Sequence, residues 1–356
     1  IGGTVYNTPR LTACGEHTTT LMGATDVGIY KSLDRANSWY RIGDGLGVAA
    51  VMCLSTAPSD PAVLYAATLQ EGAFKSTDAG QTWEDIGDRV DQFFSCRSLA
   101  VDSLDADLAY MVASGRIYRT SNGGYSWQKI SWIDGESIAV DPTTWGIAYV
   151  GTYGRVLKTL DAGETWVTYT LPSETRVHDI AVSNSLPTHL YAATSNGIYR
   201  STDAGRTWTT TGGELPEVAY FSVAVDPAIE LVVYAGSYAE GGWMYKSVDG
   251  GVSWSAANAG LAPRCDRLVT DIVVDPVDSE RVYTSIGRNR GSWGTTNTSH
   301  CGGLFQSRDG GSSWSPIPTT EPRSDWFFQQ LSIDQRGEVL YAASASTAIW
   351  AYRIDR

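Results

Sequence analysis

The chain has 356 residues, with 37 Gly, 19 Tyr and 13 Trp, 18% charged residues and a formal net charge of −13. That acidity, without any clustered Lys/Arg run, excludes nucleic acid as a partner, because phosphate binding depends on concentrated cations that release counterions. No apolar run reaches the roughly 20 residues of a membrane-crossing helix, and the four His have neither metal-triad nor Ser-His-Asp spacing, so no cofactor and no metal are expected.

In chain order, the sequence begins at Ile1 rather than Met. This reads as a processed N-terminus and makes export the expectation. Gly3-Thr4-Val5-Tyr6 is a short β-forming segment, followed by an irregular stretch, Leu11–Gly23. An octapeptide, Ser/Thr-x-Asp-x-Gly-x-Ser/Thr-Trp, then recurs in seven copies ending at Trp39, Trp83, Trp127, Trp166, Trp208, Trp254 and Trp314, spaced by 44, 44, 39, 42, 46 and 60 residues. The first copy has Ala36 for Gly, and the third has Asn122 for Asp.

The octapeptide predicts a hairpin turn. Its carboxylate (Asp34, Asp78, Asp161, Asp203, Asp249 or Asp309) accepts backbone N–H groups, Gly permits positive φ, and Trp packs between neighbouring sheets. Ahead of each turn lie three short β-patterned runs, as in Asp179–Val182, His189–Thr194 and Gly197–Arg200. Each repeat is therefore four strands, A to D, with the octapeptide between C and D. A period near 40 residues of this kind specifies an all-β, single-domain β-propeller over residues 1–356. After the last copy only A, B and C strands remain, so Gly3–Tyr6 is expected to supply the missing strand and close the ring. That arrangement has eight blades, or seven if Leu11–Gly23 forms no A and B strands of its own.

In such a fold the octapeptide turns sit on one face, and the B–C and D–A loops open on the other, the top face. The 60-residue spacing comes from a B–C insertion carrying Arg288, Arg290 and Trp293 and running to Cys301. Trp132, Trp243 and Trp326 map to the same face, with Tyr153, Tyr220 and Tyr238. Aromatic groups there are candidates for stacking on sugar or anchoring a peptide, the bland alternative being packing of loops onto blade ends. The A-strand entrances place Arg97, Glu136, His178, Asp179 and Asp271 around the central channel. Glu136 paired with Asp179 or Asp271 is a candidate acid and base for glycoside hydrolysis, although such groups more often satisfy one another.

Five cysteines are too few for a disulfide scaffold. Cys265 and Cys301 are a candidate bridge across the top of the seventh repeat, with two free thiols as the alternative. Cys53 and Cys96, on inner strands of neighbouring repeats, form a second candidate pair, with buried free thiols as the alternative. Cys14 is then the odd one.

The octapeptides resemble the Asp-box, or BNR, repeats of sialidases, sortilin-type receptors, xyloglucanase-type glycosidases and photosystem II assembly-factor-like propellers. The resemblance covers about nine-tenths of the chain. It implies the fold but not a function, since the same blades serve enzymes, receptors and assembly factors. A sialidase is disfavoured: Tyr40-Arg41-Ile42-Gly43 follows the first turn and lacks the Pro of that family's arginine motif. The expectation is a binding or scaffold propeller outside the cytoplasm, in the periplasm, at the cell surface or secreted, presenting its top face to a protein or glycan. A glycoside hydrolase is the alternative, and an assembly factor associated with a membrane complex a further one.

Overall fold

The computed structural model describes residues 11–13, 21–25, 28–32, 40–42, 51–68, 72–86, 96–131, 134–212, 215–238, 244–261, 267–288, 303–317, 328–333, 339–344 and 349–353. Among these residues the strands fall in chain order into eight antiparallel units, seven of four strands and a last of three, the sixth and seventh joined into one eight-stranded sheet by the pairing of Tyr238 with Leu268. No helix among them is long and apolar enough to cross a membrane.

The A strands are Leu11–Ala13, Val51–Ala57, Cys96–Val101, Gly135–Val140, Val177–Val182, Ala219–Val225, Arg267–Val274 and Phe328–Ile333. Each lies beside the A strand of the following unit, and the eighth lies beside the first. The sheets therefore stand radially around a common centre, and the fold is a β-propeller. The irregular stretch near the N-terminus does form a paired A and B strand, Leu11–Ala13 with Leu21–Thr25. The closing segment Gly3–Tyr6 and the first turn's Asp34 lie outside the described residues.

Radial stacking explains the B strands. Ala109–Ala113, Ala148–Thr152 and Leu190–Thr194 are buried at every position, because both faces of each sheet are covered by a neighbouring sheet. Small residues set the spacing: a Cβ on Gly151 would meet Ser137 Oγ at 2.7 Å and crowd the methyl groups of Val177 in the next unit.

The octapeptide turn works as its chemistry predicts. In the fourth unit Asp161 Oδ1 accepts from Thr165 N (2.9 Å) and Oδ2 from Thr165 Oγ1 (2.6 Å), while Thr159 Oγ1 accepts from Gly163 N (2.7 Å). The turn needs two successive left-handed residues, Ala162 at φ 58° and Gly163 at φ 86°. The position before the Gly is Ala or Gly in all six described copies: Gly adopts this φ freely, and the site is crowded, a Cβ on Gly123 meeting Lys75 Nζ at 2.5 Å and one on Gly310 meeting Lys246 Nζ at 2.9 Å. Trp83, Trp127, Trp208, Trp254 and Trp314 are buried and Trp166 is half-buried; Trp83, Trp166 and Trp208 each donate Nε1–H to the carbonyl three residues earlier, at 3.0 to 3.1 Å.

A second repeated device was not anticipated. Asp102 caps its A–B turn by accepting from Leu104 N (2.9 Å) and Asp105 N (3.2 Å), and its other oxygen accepts from Gly146 N of the next unit (2.8 Å). Asp141 and Asp226 cap their own turns in the same way, and Asp226 also accepts from Ser279 Oγ of the following unit. The sequence signal was present in Val-Asp at 101–102, 140–141, 225–226 and 274–275, just where each A strand ends.

Cys53 and Cys96 form a disulfide that ties the second A strand to the third. Cys14, Cys265 and Cys301 lie outside the described residues.

Candidate functional site

Seven A strands carry a register shift at the same level, against their B strands. The residue passed over is Met52, Arg97, Glu136, His178, Phe221, Thr270 or Gln329. A bulge of this kind leaves one residue out of the ladder and re-aims its side chain. The described side chains at this position, Arg97, Glu136, His178, Phe221 and Thr270, come from five consecutive units. Arg97, Glu136 and His178, expected from the repeat at the A-strand entrances, share this register position. Their common origin in a bulge was not legible, because a bulge depends on pairing between strands.

Two consecutive pairs touch, Arg97 with Glu136 and His178 with Phe221. Arg97 Nη1 lies 2.6 Å from Glu136 Oε2, and Arg176, two residues before His178, lies 3.0 Å from Glu136 Oε1. The Glu136 side chain is 13% exposed, and the arginines 39% and 48%, so one carboxylate is clamped between two cations. Asp134 stands 3.8 Å from Arg97 on the open side. His178 stacks on Phe221 with ring centroids 4.4 Å apart, and its Nε2 is 2.8 Å from Ser195 Oγ. Burial, and then the nearby Arg176 cation, lower the His178 pKa to about 4, so the imidazole is neutral at pH 7.

The two aspartates sit one residue beyond the bulge. Asp179 Oδ2 accepts from Val223 N of the next A strand at 3.1 Å, and Asp271 Oδ1 accepts from Ile272 N at 2.8 Å. Ser98 Oγ does at its seam what Asp179 does, accepting from Ile138 N at 3.2 Å. The structure thus brings Arg97 and Glu136 together, with Arg176 as the member that sequence reasoning missed. Glu136 and Asp179 occupy separate contacts.

On the surrounding face, B–C turns abut the entry of the next unit: Gly154 N donates to Thr175 O at 2.7 Å, and Gly197 N to Val218 O at 3.0 Å. Tyr153 projects there at 60% exposure. Tyr220, expected among the top-face aromatics, is instead a core residue, 0% exposed, with its hydroxyl on Pro216 O. Trp132, Trp243, Arg290, Trp293 and Trp326 lie outside the described residues, and Arg288 is described only as the backbone end of the strand Val282–Arg288. Among the described residues no His, Cys, Asp or Glu cluster has the makings of a metal site.

The radial arrangement of antiparallel sheets defines a β-propeller. No family model matches the chain, and no curated protein sequence does. Among solved structures it is similar to an ancestral GH74 enzyme (17% identity, TM-score 0.61, covering 99% of this chain and 61% of that one). It is likewise similar to YCF48 bound to D1 peptide (16%, TM-score 0.61, covering 86% and 94%). A third is the extracellular domain BT4673 from B. thetaiotaomicron (11%, TM-score 0.61, covering 88% and 40%). The chain therefore spans less than two thirds of the GH74 and BT4673 chains. At these identities the likeness is one of fold.

Proposed function

We propose that this chain is a non-catalytic binding propeller, one domain of eight blades, that presents its channel-mouth face to a protein or glycan outside the cytoplasm. The observation that carries the reading is the employment of the three channel carboxylates. Glu136 is held by two arginines, Asp179 by the backbone of the next blade and Asp271 by its own strand. A retaining or inverting glycosidase needs one carboxyl protonated and one poised across the scissile bond. Here, freeing Asp179 would leave the Val223 N–H without that acceptor. The disulfide supports an oxidising compartment, and the BT4673 neighbour is itself an extracellular domain. YCF48, solved with a D1 peptide, supports a peptide as one partner class by analogy of fold alone.

The partner-facing candidates are Arg97, His178 and Tyr153, and, from their position in the sequence, Arg288, Arg290, Trp293, Trp132, Trp243 and Trp326. The test is a polysaccharide and peptide panel read for both binding and released reducing sugar. Binding without release, weakened by Trp293→Ala or Arg97→Ala, is the expected result. Sugar release abolished by Glu136→Gln or Asp179→Asn would replace this reading with the hydrolase.

A further inference from the structure

The A–B turns share a face with the octapeptide turns, opposite Tyr153. From the third unit to the seventh, a backbone N–H of each octapeptide donates to a carbonyl of its own unit's A–B turn, at 2.8 to 3.0 Å. These A–B turns are residues 102–108, 141–147, 183–189, 226–232 and 275–281. They expose Leu104, Trp145, Leu186, Ile229, Leu231 and Val277, each between 37% and 56% exposed and at least one from every turn. The fold does not call for them: a capping Asp or Ser oxygen and the backbone close each turn, and Thr143, Thr144 and Ser185 stand exposed in the same turns.

Neighbouring turns are in contact. Trp145 Nε1 donates to Asp105 Oδ2 of the preceding turn at 3.2 Å, Ser185 Oγ to Glu230 Oε2 of the following one at 3.4 Å, and Ser279 Oγ to Asp226 Oδ1 at 2.9 Å. The A strands of the fourth and fifth units, which lead into the remaining pair of turns, lie side by side. The apolar groups therefore follow one arc across five units, with the Trp145 ring held by its indole bond. The charge along the arc is of one sign. The five turns carry nine Asp or Glu and a single Arg, and that residue, Arg281, is held by Asp278 at 3.0 Å. Lys75 of the second unit answers Asp107. An exposed apolar patch marks an interaction surface, and carboxylates set among its members select a partner of opposite charge.

We propose that this arc is a docking surface for a cationic amphipathic segment of a partner protein. Its apolar side would lie on Trp145, Leu186 and Ile229 and their neighbours, and its Lys or Arg side chains would reach Asp105, Glu230 and Glu280. A second copy docked face to face would set carboxylates against carboxylates, and an anionic bilayer would meet the same repulsion. The arc lies on the face opposite the channel-mouth surface, so the inference stands apart from the function proposed above.

The test is fluorescence anisotropy of a labelled Leu/Lys amphipathic peptide titrated with the intact chain, beside counterparts with Glu for every Lys and with Ser for every Leu. The Leu/Lys peptide should bind saturably and more tightly than either counterpart, with an affinity that falls as salt rises. Trp145→Ser and Ile229→Ser should each weaken it about tenfold, as the loss of one side chain buried on docking would. Glu230→Gln together with Glu280→Gln should weaken it and flatten its salt dependence, whereas Tyr153→Ser should leave it unchanged. All these side chains reach the surface, and matching thermal melts separate lost binding from lost fold. The proposal is overturned if the Leu/Lys peptide does not bind, if the Glu counterpart binds as well, or if Tyr153→Ser abolishes binding and Trp145→Ser does not. It is equally overturned if Trp145→Ser removes a self-association seen by sedimentation or an attachment to phosphatidylglycerol vesicles, either of which would give the arc another occupant.

Discussion

The Lys158 ammonium lies 5.1 Å from the centre of the Tyr149 ring, and the same Nζ donates to the carbonyl of Ala204 in the next unit's turn at 2.6 Å. Lys75 over Tyr65 reaches Asp107 of the next unit, and Lys246 over Tyr234 reaches Gly310. At three seams among the described residues a lysine thus joins a buried B-strand tyrosine to the neighbouring blade. Lys158→Ala should remove both contacts and lower the unfolding free energy by about 2–4 kcal/mol. Urea denaturation checks this, and an unchanged midpoint would mean that the bolt carries nothing.

Trp208 is 5% exposed and fills the layer between the fourth and fifth sheets. Trp208→Ala should cost about 3–5 kcal/mol, read as a fall in thermal midpoint. A loss within error of zero would contradict the packing role of the octapeptide indole.

Asp102 answers three backbone N–H groups in two units while itself fully buried. Asp102→Ala orphans all three, and a destabilisation of about 3–5 kcal/mol is expected. Hydrogen exchange should accelerate at Leu104 and Gly146 before it does elsewhere in the third and fourth units.

The disulfide closes a segment with a sequence separation of 43, for which the chain-entropy relation gives about 4 kcal/mol. Reduction, or paired Cys53→Ser and Cys96→Ser, should lower stability by about 2–4 kcal/mol. Equal denaturation curves with and without reductant would show that the link adds nothing to the closed ring.

Stability should decline in acid in two stages. His178 has a folded pKa of about 4, below its ordinary value. The unfolded chain therefore binds the extra proton first, and stability falls as pH drops from about 6.5 to 4. Asp161 and Asp249 are held near 2 by hydrogen bonds, foremost from the hydroxyls of Thr165 and Ser253. Their contribution is complete above about 4 and is lost between about 4 and 2. Denaturation midpoints measured from pH 7 to 2 check both stages. His178→Gln should reduce the first stage and leave the second, the remainder belonging to His189, whose pKa burial also holds below its ordinary value; a His178 imidazole titrating near 6.5 by NMR would remove its share.

The sequence by itself determined the repeat, the four-strand unit and the turn that joins C to D. Those depend on neighbours within eight residues: an Asp reaching an N–H four positions on, a Gly at positive φ, an indole bonding three residues back. It also placed Arg97, Glu136 and His178 at one level, because equal repeats bring equivalent positions together. The Val-Asp cap was equally local and could have been found by aligning the ends of the A strands.

Only the tertiary structure decided which groups meet across a seam. The bulge on each A strand, Arg176 joining Arg97 on Glu136, Asp179 spent on Val223 N, and Cys53 reaching Cys96 all depend on how one sheet docks on the next. So does Tyr220, whose aromatic character reads equally as surface or core until the neighbouring sheet covers it. Asn122 shows the division most plainly: its departure from the pattern is visible in the sequence. Its reversed bond to Ser126 is settled within four residues, whereas the close approach of Ile86 from the preceding unit to Gly124 is a matter of distances between blades.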